Sequence, residues 1–170
     1  MYNLAFVLSL LIQFFVLVVG IYFFSVSIIG CVFKKEYKRE PENNKIHKFA
    51  LVVAAHNEEA VIDHMVDSLN LLDYPKDSYE IFVIADNCSD NTAKIARDHG
   101  ANVFERTNET QRGKGYALEW MFSKIFEMDK QFDAVCVFDA DNVADSNFLK
   151  EMNKQMNKGH KAIQGYIDTK

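Results

Sequence analysis

The first 33 residues form one uncharged and predominantly apolar stretch. From Leu4 onward it is interrupted only by Gln13, a few serines and two glycines. A helix of about 20 predominantly apolar residues is long enough to span a bilayer, so residues 1–33 are predicted to form a single transmembrane anchor. A cleaved signal peptide is the alternative, but the stretch has neither a positively charged beginning nor a clear small-residue cleavage site.

The charge pattern beyond this stretch predicts its orientation. Four basic residues follow directly: Lys34, Lys35, Lys38 and Arg39. The short N-terminus carries no basic side chain, so the positive-inside tendency places the rest of the chain in the cytoplasm. Residues 34–47 are polar and contain Pro41, which is typical of a juxtamembrane linker. The expected location is therefore the cell membrane, crossed once, with the soluble part cytoplasmic.

After residue 48 the pattern changes to short apolar runs that alternate with amphipathic segments. Continuous apolar runs are typical of strands buried on both faces of a parallel sheet. The predicted strands are 49–54, 81–85, 102–104, 134–141 and 161–167. The predicted helices begin at Asn57 as a cap, at Ser89 or Asp90 as a cap, after residues 112–115 with Phe122 and Phe126 on the apolar face, and near Ser146. This alternation predicts an open, mostly parallel α/β sheet with flanking helices.

Carboxylates stand at the end of the fourth predicted strand. Alternation along an extended backbone puts Asp139 and Asp141 on the same side and Ala140 on the other. Two neighbouring carboxylates repel each other, and a bound divalent cation offsets that cost. Both acids simply facing solvent at a strand end is the other interpretation of this pair alone.

Other polar segments are expected at the same edge of the sheet, where α/β proteins bind ligands. They are residues 55–58 after the first strand, 86–87 after the second, and Lys114 in a glycine-flanked loop. Taken singly, each fits a loop, a turn or a helix cap. Together they predict a pocket with a slot for a base, a carboxylate for the base or ribose, a cation for phosphates and a metal-binding pair.

Composition limits the remaining choices. The length of 170 residues fits one domain with an appendage, and the net charge of −5 argues against a nucleic-acid partner. Cys31, Cys88 and Cys136 show neither paired nor metal-ligand spacing, which suits a reducing compartment.

Four segments of the chain resemble the motifs of family-2 glycosyltransferases. In chain order they are residues 52–59 (VVAAHNEE), 85–92 (ADNCSDNT), 112–118 (RGKGYAL) and 138–141 (FDAD). The sequence departs from the family pattern at Ala54, where Pro is usual, at His56, where Tyr is common, and at Asn87 and Cys88. The resemblance implies a GT-A fold, a nucleotide-sugar donor with UDP favoured over GDP, and a Mg²⁺ or Mn²⁺ ion.

The family also implies roles for residues on the base side of the donor. Ala55 and His56 would lie against the base, with Glu58 nearby. Asp86 would form a hydrogen bond with the base.

On the phosphate side, Lys114 would lie near the nucleotide. Asp139 would approach the ribose or a metal-bound water, and Asp141 would bind the metal; both are predicted as metal residues. The implied partners are a nucleotide-sugar, a cell-envelope glycan or lipid acceptor, and the membrane.

The general base of the family lies in a later acidic motif that this sequence does not contain, so the catalytic base is unassigned. Residues 48–170 are therefore interpreted as the donor-binding part of a truncated GT-A domain, and exposed apolar surface and self-association are expected. A nucleotide-sugar-binding module without catalysis is the alternative. A nucleotidyltransferase is a weaker one, because residues 55–58 contain no glycine.

Overall fold

In the computed structural model of the chain, residues 3–32 and 45–167 are described, and the chain divides into two compact units, Met1–Arg39 and Glu40–Lys170. The first unit is the helix α1, Leu4–Val32. Its segment Phe6–Ile29 has a mean hydropathy of 2.6, so the helix is long and apolar enough to cross a membrane, a test that a signal sequence also passes. The predicted basic cluster and most of the linker lie outside the described residues, and the predicted domain bounds stay a prediction.

Polar side chains of α1 find partners within the helix. The hydroxyls of Ser25 and Ser27 donate to the carbonyls of Ile21 and Phe23, at 2.7 and 2.8 Å. Such internal pairing is what a helix in hydrocarbon requires, because no water is available there to satisfy polar groups.

The second unit is built on a four-stranded parallel sheet. Its strands are β1 (Phe49–Ala55), β2 (Tyr79–Asp86), β3 (Asn102–Arg106) and β4 (Ala134–Asp139). The order is β3-β2-β1-β4, and all three pairings are parallel. The predicted parallel α/β architecture is confirmed, and it brings the carboxyl ends of all four strands to one edge.

Helices cover both faces of this sheet. They are α2 (Ile62–Asn70), α3 (Thr92–Asp98), α4 (Lys114–Phe126) and α5 (Phe148–Asn157), with a 3-10 turn at Lys76–Ser78. Alternate residues of β1 enter two different cores: Leu51 and Val53 pack with α2, α3 and α5, whereas Ala50 and Val52 pack with α4. The central strand is therefore buried on both faces, which is why it has no polar residue.

Several predicted strand ends were wrong. β3 extends two residues further, to Arg106. β4 ends at Asp139, because the next residues form a turn in which the Asn142 amide donates to the Asp139 carbonyl. Residues 161–167 form no strand in the described part of the chain; instead of pairing, the backbone at Gly165 lies against the ring of Phe148 on α5.

Two features of the predicted helices also differ. The helix expected to begin at Asn57 begins at Ile62, because Asn57 has a left-handed backbone (φ +56°) that a cap does not use. On α4 the buried residues are Ala117, Met121 and Ile125, while Phe126 is 76% exposed. The expected apolar stripe was therefore too wide.

The second unit does expose apolar side chains, as predicted. Phe126, Val143, Tyr166 and Ile167 are the most exposed beside Leu71. Self-association through them stays a prediction.

Candidate functional site

The loops after β1 and β2 are joined by hydrogen bonds between neighbouring backbones and side chains. The amide of Ser89 donates to Asn57 Oδ1 at 2.8 Å, and the amide of Glu58 donates to Thr92 Oγ1 at 2.8 Å. The left-handed backbone of Asn57, which Asn tolerates better than most residues, turns its side chain toward the second loop. The two loops thus form one rigid wall at the carboxyl edge of the sheet.

A carboxylate holds the second loop in shape. Asp90 Oδ1 accepts hydrogen bonds from the hydroxyl and the amide of Thr92, at 2.6 and 3.0 Å. Burial alone raises the pKa of Asp90, but the hydrogen bonds from Thr92 and from the Glu59 amide outweigh it and lower that pKa below its usual value. Asp90 is thus a structural anion just before α3, but the cap position of this helix is Asn91 and not the predicted Ser89 or Asp90.

His56 and Asp86 meet at the ends of β1 and β2. His56 Nδ1 lies 2.7 Å from the backbone carbonyl oxygen of Asp86. A carbonyl only accepts hydrogen bonds, so Nδ1 carries the proton in this contact. The contact fixes the plane of the imidazole ring beside the carboxylate that the family resemblance assigns to the base.

The side chain of Asp86 is buried and paired with a cation. Arg106 Nη1 donates to Asp86 Oδ1 at 2.5 Å, and the two side chains are only 5% and 9% exposed. Asp86 and Arg106 are partners in the register of β2 and β3. Arg106 was not among the predicted site residues, because the predicted strand ended at residue 104. Two successive charged residues, Glu105 and Arg106, gave no sequence signal that the strand continues.

A pocket of about 520 Å³ opens beside this pair. It is lined by Asn87, Cys88, Thr107, Glu109 and Arg112. Asn87, which has a left-handed backbone, accepts a hydrogen bond from the Asn108 amide at 2.8 Å and so joins the two sides of the pocket. Its volume lies within the range of about 300–1,000 Å³ that is typical of small-molecule sites.

A second group of charged residues lies at the ends of α4 and β4. Lys114 Nζ forms an ion pair with Asp139 Oδ1, and both side chains are about half exposed, at 45% and 57%. Lys114 is the first residue of α4, and Gly113 before it takes a φ of +108°. A lysine at a helix N-terminus is a favourable place for an anion, since unpaired amides and the helix dipole point there as well.

The predicted orientations around Ala140 are observed, although residues 140 and 141 form a turn and not the end of a strand. Ala140 is 4% exposed and belongs to the core, while Asp139 and Asp141 are both exposed. No group of three or more His, Cys, Asp or Glu side chains gathers at one point within residues 3–32 and 45–167. Two carboxylates suit a hard cation such as Mg²⁺ or Mn²⁺ that completes its shell with phosphate oxygens and water, so this donor set fits the implied ion.

Two predicted site residues lie at this edge without side-chain contacts that define a role. Glu58 acts through its backbone: its carbonyl accepts the amides of Val61 and Ile62, which starts α2. Ala55 is buried and pairs in register with Ala85 of β2. The structure thus brings His56 next to Asp86 and Lys114 next to Asp139.

Comparisons with known proteins agree with this architecture. The sequence model of the family described as "Glycosyltransferase like family 2" matches residues 47–169. A probable glycosyltransferase of Bacillus subtilis, YdaM, is 33% identical over 65% of this chain and 27% of its own length. A beta-monoglucosyldiacylglycerol synthase of Trichormus variabilis is 33% identical over 71% of this chain and 26% of its length.

A solved structure with a similar fold carries ligands. Glucosyl-3-phosphoglycerate synthase of Mycobacterium tuberculosis, in complex with Mn²⁺, UDP and phosphoglyceric acid, aligns with a TM-score of 0.50 and 28% identity, over 61% of this chain and 37% of that protein. The chain spans about a quarter of the length of the two curated relatives. The predicted GT-A-like fold is confirmed, and this chain belongs to glycosyltransferase family 2.

Proposed function

We propose that this chain is the membrane anchor and donor-binding part of a glycosyltransferase that transfers a sugar from a nucleotide-sugar, with a UDP-sugar favoured. The observation that carries the proposal is the position of two groups at one edge of the sheet. The buried carboxylate of Asp86 ends β2, directly before the pocket residues Asn87 and Cys88, and Lys114 forms an ion pair with Asp139 between the start of α4 and the end of β4. A nucleoside diphosphate needs both a base-reading acceptor and groups that neutralise phosphate.

In this proposal Asp86 accepts an N–H of the base, and the ring of His56 and the wall at Ala55 lie against the base, with Glu58 nearby. Lys114 binds the diphosphate. The negative charge of the diphosphate increases as its bond to the sugar breaks. Asp139 and Asp141 would hold the Mg²⁺ or Mn²⁺ ion, which supplies further stabilisation of the leaving diphosphate when bound. Lys114 and the metal ion would act where negative charge develops in the transition state, and this is where binding energy accelerates a reaction.

The acceptor is proposed to be a cell-envelope glycan or lipid. The apolar helix α1 supports this, because an anchor at the membrane keeps the donor site close to lipid-linked substrates. The relative from Trichormus variabilis is named as a synthase of a diacylglycerol glycolipid, which favours a lipid.

The soluble unit is proposed to face the cytoplasm, because basic residues lie within 34–39. A protease-protection assay on inside-out vesicles would test this orientation, and cleavage only in right-side-out vesicles would contradict it.

The donor site is tested by calorimetry on the full chain in detergent. UDP should bind in the presence of Mn²⁺, and Asp141→Ala should abolish this binding. Asp129→Ala, at an exposed carboxylate after α4, is the matched control and should bind like the wild type. Nucleotide binding that is unchanged by removing Mn²⁺ would contradict the proposal.

A second candidate is a donor-binding module without catalysis of its own. Release of the sugar from a UDP-sugar by the purified chain, measured against Asp141→Ala, would exclude this alternative.

A further inference from the structure

Arg106 is buried at the carboxyl end of β3 and makes contacts in two directions. It is 6% exposed, which is unusual for an arginine. Nη1 donates to Asp86 Oδ1 at 2.5 Å, and Nη2 donates to the backbone carbonyl of Gln111 at 2.7 Å. One guanidinium thus joins the base side of the candidate site to the loop that leads into Lys114.

We propose that Arg106 is a positioning residue with two roles. It orients the Asp86 carboxylate, which accepts a hydrogen bond from the donor base, and it connects this carboxylate to the loop that leads into Lys114. The inference rests on the proposed function and deepens it. It assigns to this chain a basis for discriminating between nucleotide bases, and it adds a residue to the donor site.

Arg106 fixes the orientation of the Asp86 carboxylate. Its guanidinium donates to Oδ1, and the oxygens of a carboxylate only accept hydrogen bonds. Arg106 occupies Oδ1, and Oδ2 accepts no hydrogen bond from the residues that the structure describes. Such an oxygen binds bases that offer an N–H on their pairing edge, such as uracil and guanine. It repels the ring-nitrogen acceptor that cytosine and adenine offer at the same position.

Arg106 also holds the loop between β3 and α4. This loop contains a turn in which Asn108 Oδ1 accepts the amides of Thr110 and Gln111, at 3.0 and 2.8 Å. The Nη2 contact closes the same turn from inside at the Gln111 carbonyl. Since Lys114 follows three residues later, the position of the phosphate-binding cation depends on Arg106, and base and diphosphate are bound as one unit.

Two substitutions separate these effects, measured by calorimetry on the full chain in detergent with Mn²⁺. Arg106→Met removes the hydrogen bond that fixes the Asp86 carboxylate at Oδ1. A carboxylate that is free to turn can also accept from the exocyclic amino group of cytosine. The wild type should prefer UDP over CDP by at least about tenfold, and in Arg106→Met this ratio should fall to within about threefold. If the wild type binds GDP instead, the same comparison uses GDP against ADP.

Arg106→Lys keeps a cation beside Asp86 but lacks the second nitrogen, which in Arg106 donates to the Gln111 carbonyl. Its UDP-to-CDP ratio should stay within about twofold of the wild type, while the affinity of UDP relative to uridine should fall about tenfold. Arg97→Lys is the control. Arg97 lies on α3 and forms an exposed ion pair with Glu105, the residue before Arg106 on β3. This substitution should leave both ratios unchanged.

Circular dichroism shows whether each variant is folded. If Arg106→Met does not fold, Arg106→Lys still tests whether Arg106 holds the loop that leads into Lys114. If Arg106 has only a structural role, its substitution lowers all affinities together and leaves the UDP-to-CDP and UDP-to-uridine ratios at their wild-type values. This result would overturn the inference, but UDP binding by the wild type would still support the proposed function. A folded wild type that binds neither UDP nor GDP would overturn both.

Discussion

Lys114 at the start of α4 and Asp139 at the end of β4 form an ion pair across the carboxyl edge of the sheet. Both side chains are about half exposed, so the pair contributes only about 0–1 kcal/mol to stability. In the proposed donor site, the diphosphate would offer Lys114 and the metal ion would offer Asp139 a stronger interaction, so we expect the pair to exchange partners when a donor binds.

Lys114→Met should therefore weaken UDP binding by about tenfold without changing uridine binding, because only the phosphate contact is lost. The melting temperature should stay the same. Lys130→Met is a matched control, since Lys130 forms a comparable surface ion pair with Glu80 near the beginning of β2. Isothermal titration calorimetry measures both affinities, and an equal loss for UDP and uridine would show that Lys114 does not contact phosphate.

Asn57→Ala should destabilise the second unit by about 2 kcal/mol. It removes the hydrogen bond from the Ser89 amide and places an alanine, whose Cβ disfavours this conformation more than that of Asn does, in a left-handed backbone. Asn57→Gly loses the same hydrogen bond but adopts a positive φ freely, so it should be less destabilised than Asn57→Ala. Urea unfolding compares the two, and equal midpoints would contradict the role given to the backbone.

Leu69→Ala should lower the free energy of unfolding by about 2–5 kcal/mol, because Leu69 is fully buried between α2 and the sheet and its loss leaves a cavity. Leu71 lies two residues away and is 76% exposed. Leu71→Ala should change stability by less than about 0.5 kcal/mol. Chemical denaturation followed by circular dichroism measures both, and similar effects would mean that the core does not include this face of α2.

The stability of the second unit should depend on pH through Asp133. The hydrogen bond from Lys45, followed by that from the Lys48 amide, holds the pKa of this carboxyl below its usual value. The stabilisation is complete above the unfolded value of about 3.9 and is lost as the pH falls through the lower folded value. Asp133→Asn should cost about 1 kcal/mol at pH 7.

The difference between wild type and Asp133→Asn should shrink as the pH is lowered from 5 toward the folded pKa, measured by urea unfolding at each pH. Asp129→Asn is the control at an exposed carboxylate. A difference that stays constant down to acid unfolding would show that ionisation of Asp133 is not involved.

Cys136 should resist alkylation at pH 8 in the folded protein. Burial raises the pKa of its thiol to about 12, so almost no thiolate is present. Iodoacetamide labelling followed by peptide mass spectrometry should find the modification only after unfolding in urea. Rapid labelling in native buffer would place β4 outside the core.

Local patterns were enough to predict the parallel sheet and most of its helices. The apolar runs of β1 and β2 fit the interior of a sheet. Ala140 is buried between two exposed acids as predicted, although it lies in the turn after β4 and not in the strand. The same reasoning placed the polar segments that follow β1 and β2 at the carboxyl edge of the sheet; their roles in a site stay a prediction. The ends of β3 and β4 were predicted wrongly, because the turn after Asp139 and the pairing of Arg106 with Asp86 depend on the neighbouring strand rather than on the residues themselves.

Long-range contacts explain the other errors. Residues 161–167 have a strand-like composition, but a strand forms only where a neighbouring backbone accepts its hydrogen bonds. Asn57 has the side chain of a helix cap, yet its hydrogen-bond partner is Ser89 in another loop. Sequence patterns report what a residue can do, and the partner that it meets decides which of these things it does.

The position of β1 in the middle of the sheet has a consequence for folding. Its partner β4 is made much later: the contact between Lys48 and Asp133 at the start of this pair joins residues 85 positions apart in the chain. Closing so large a loop costs entropy before the pairing repays it, so this step is slow. During synthesis, the newly made β1 and β2 must wait on the ribosome with one edge of β1 open, and a chaperone that shields this edge should raise the yield of folded protein.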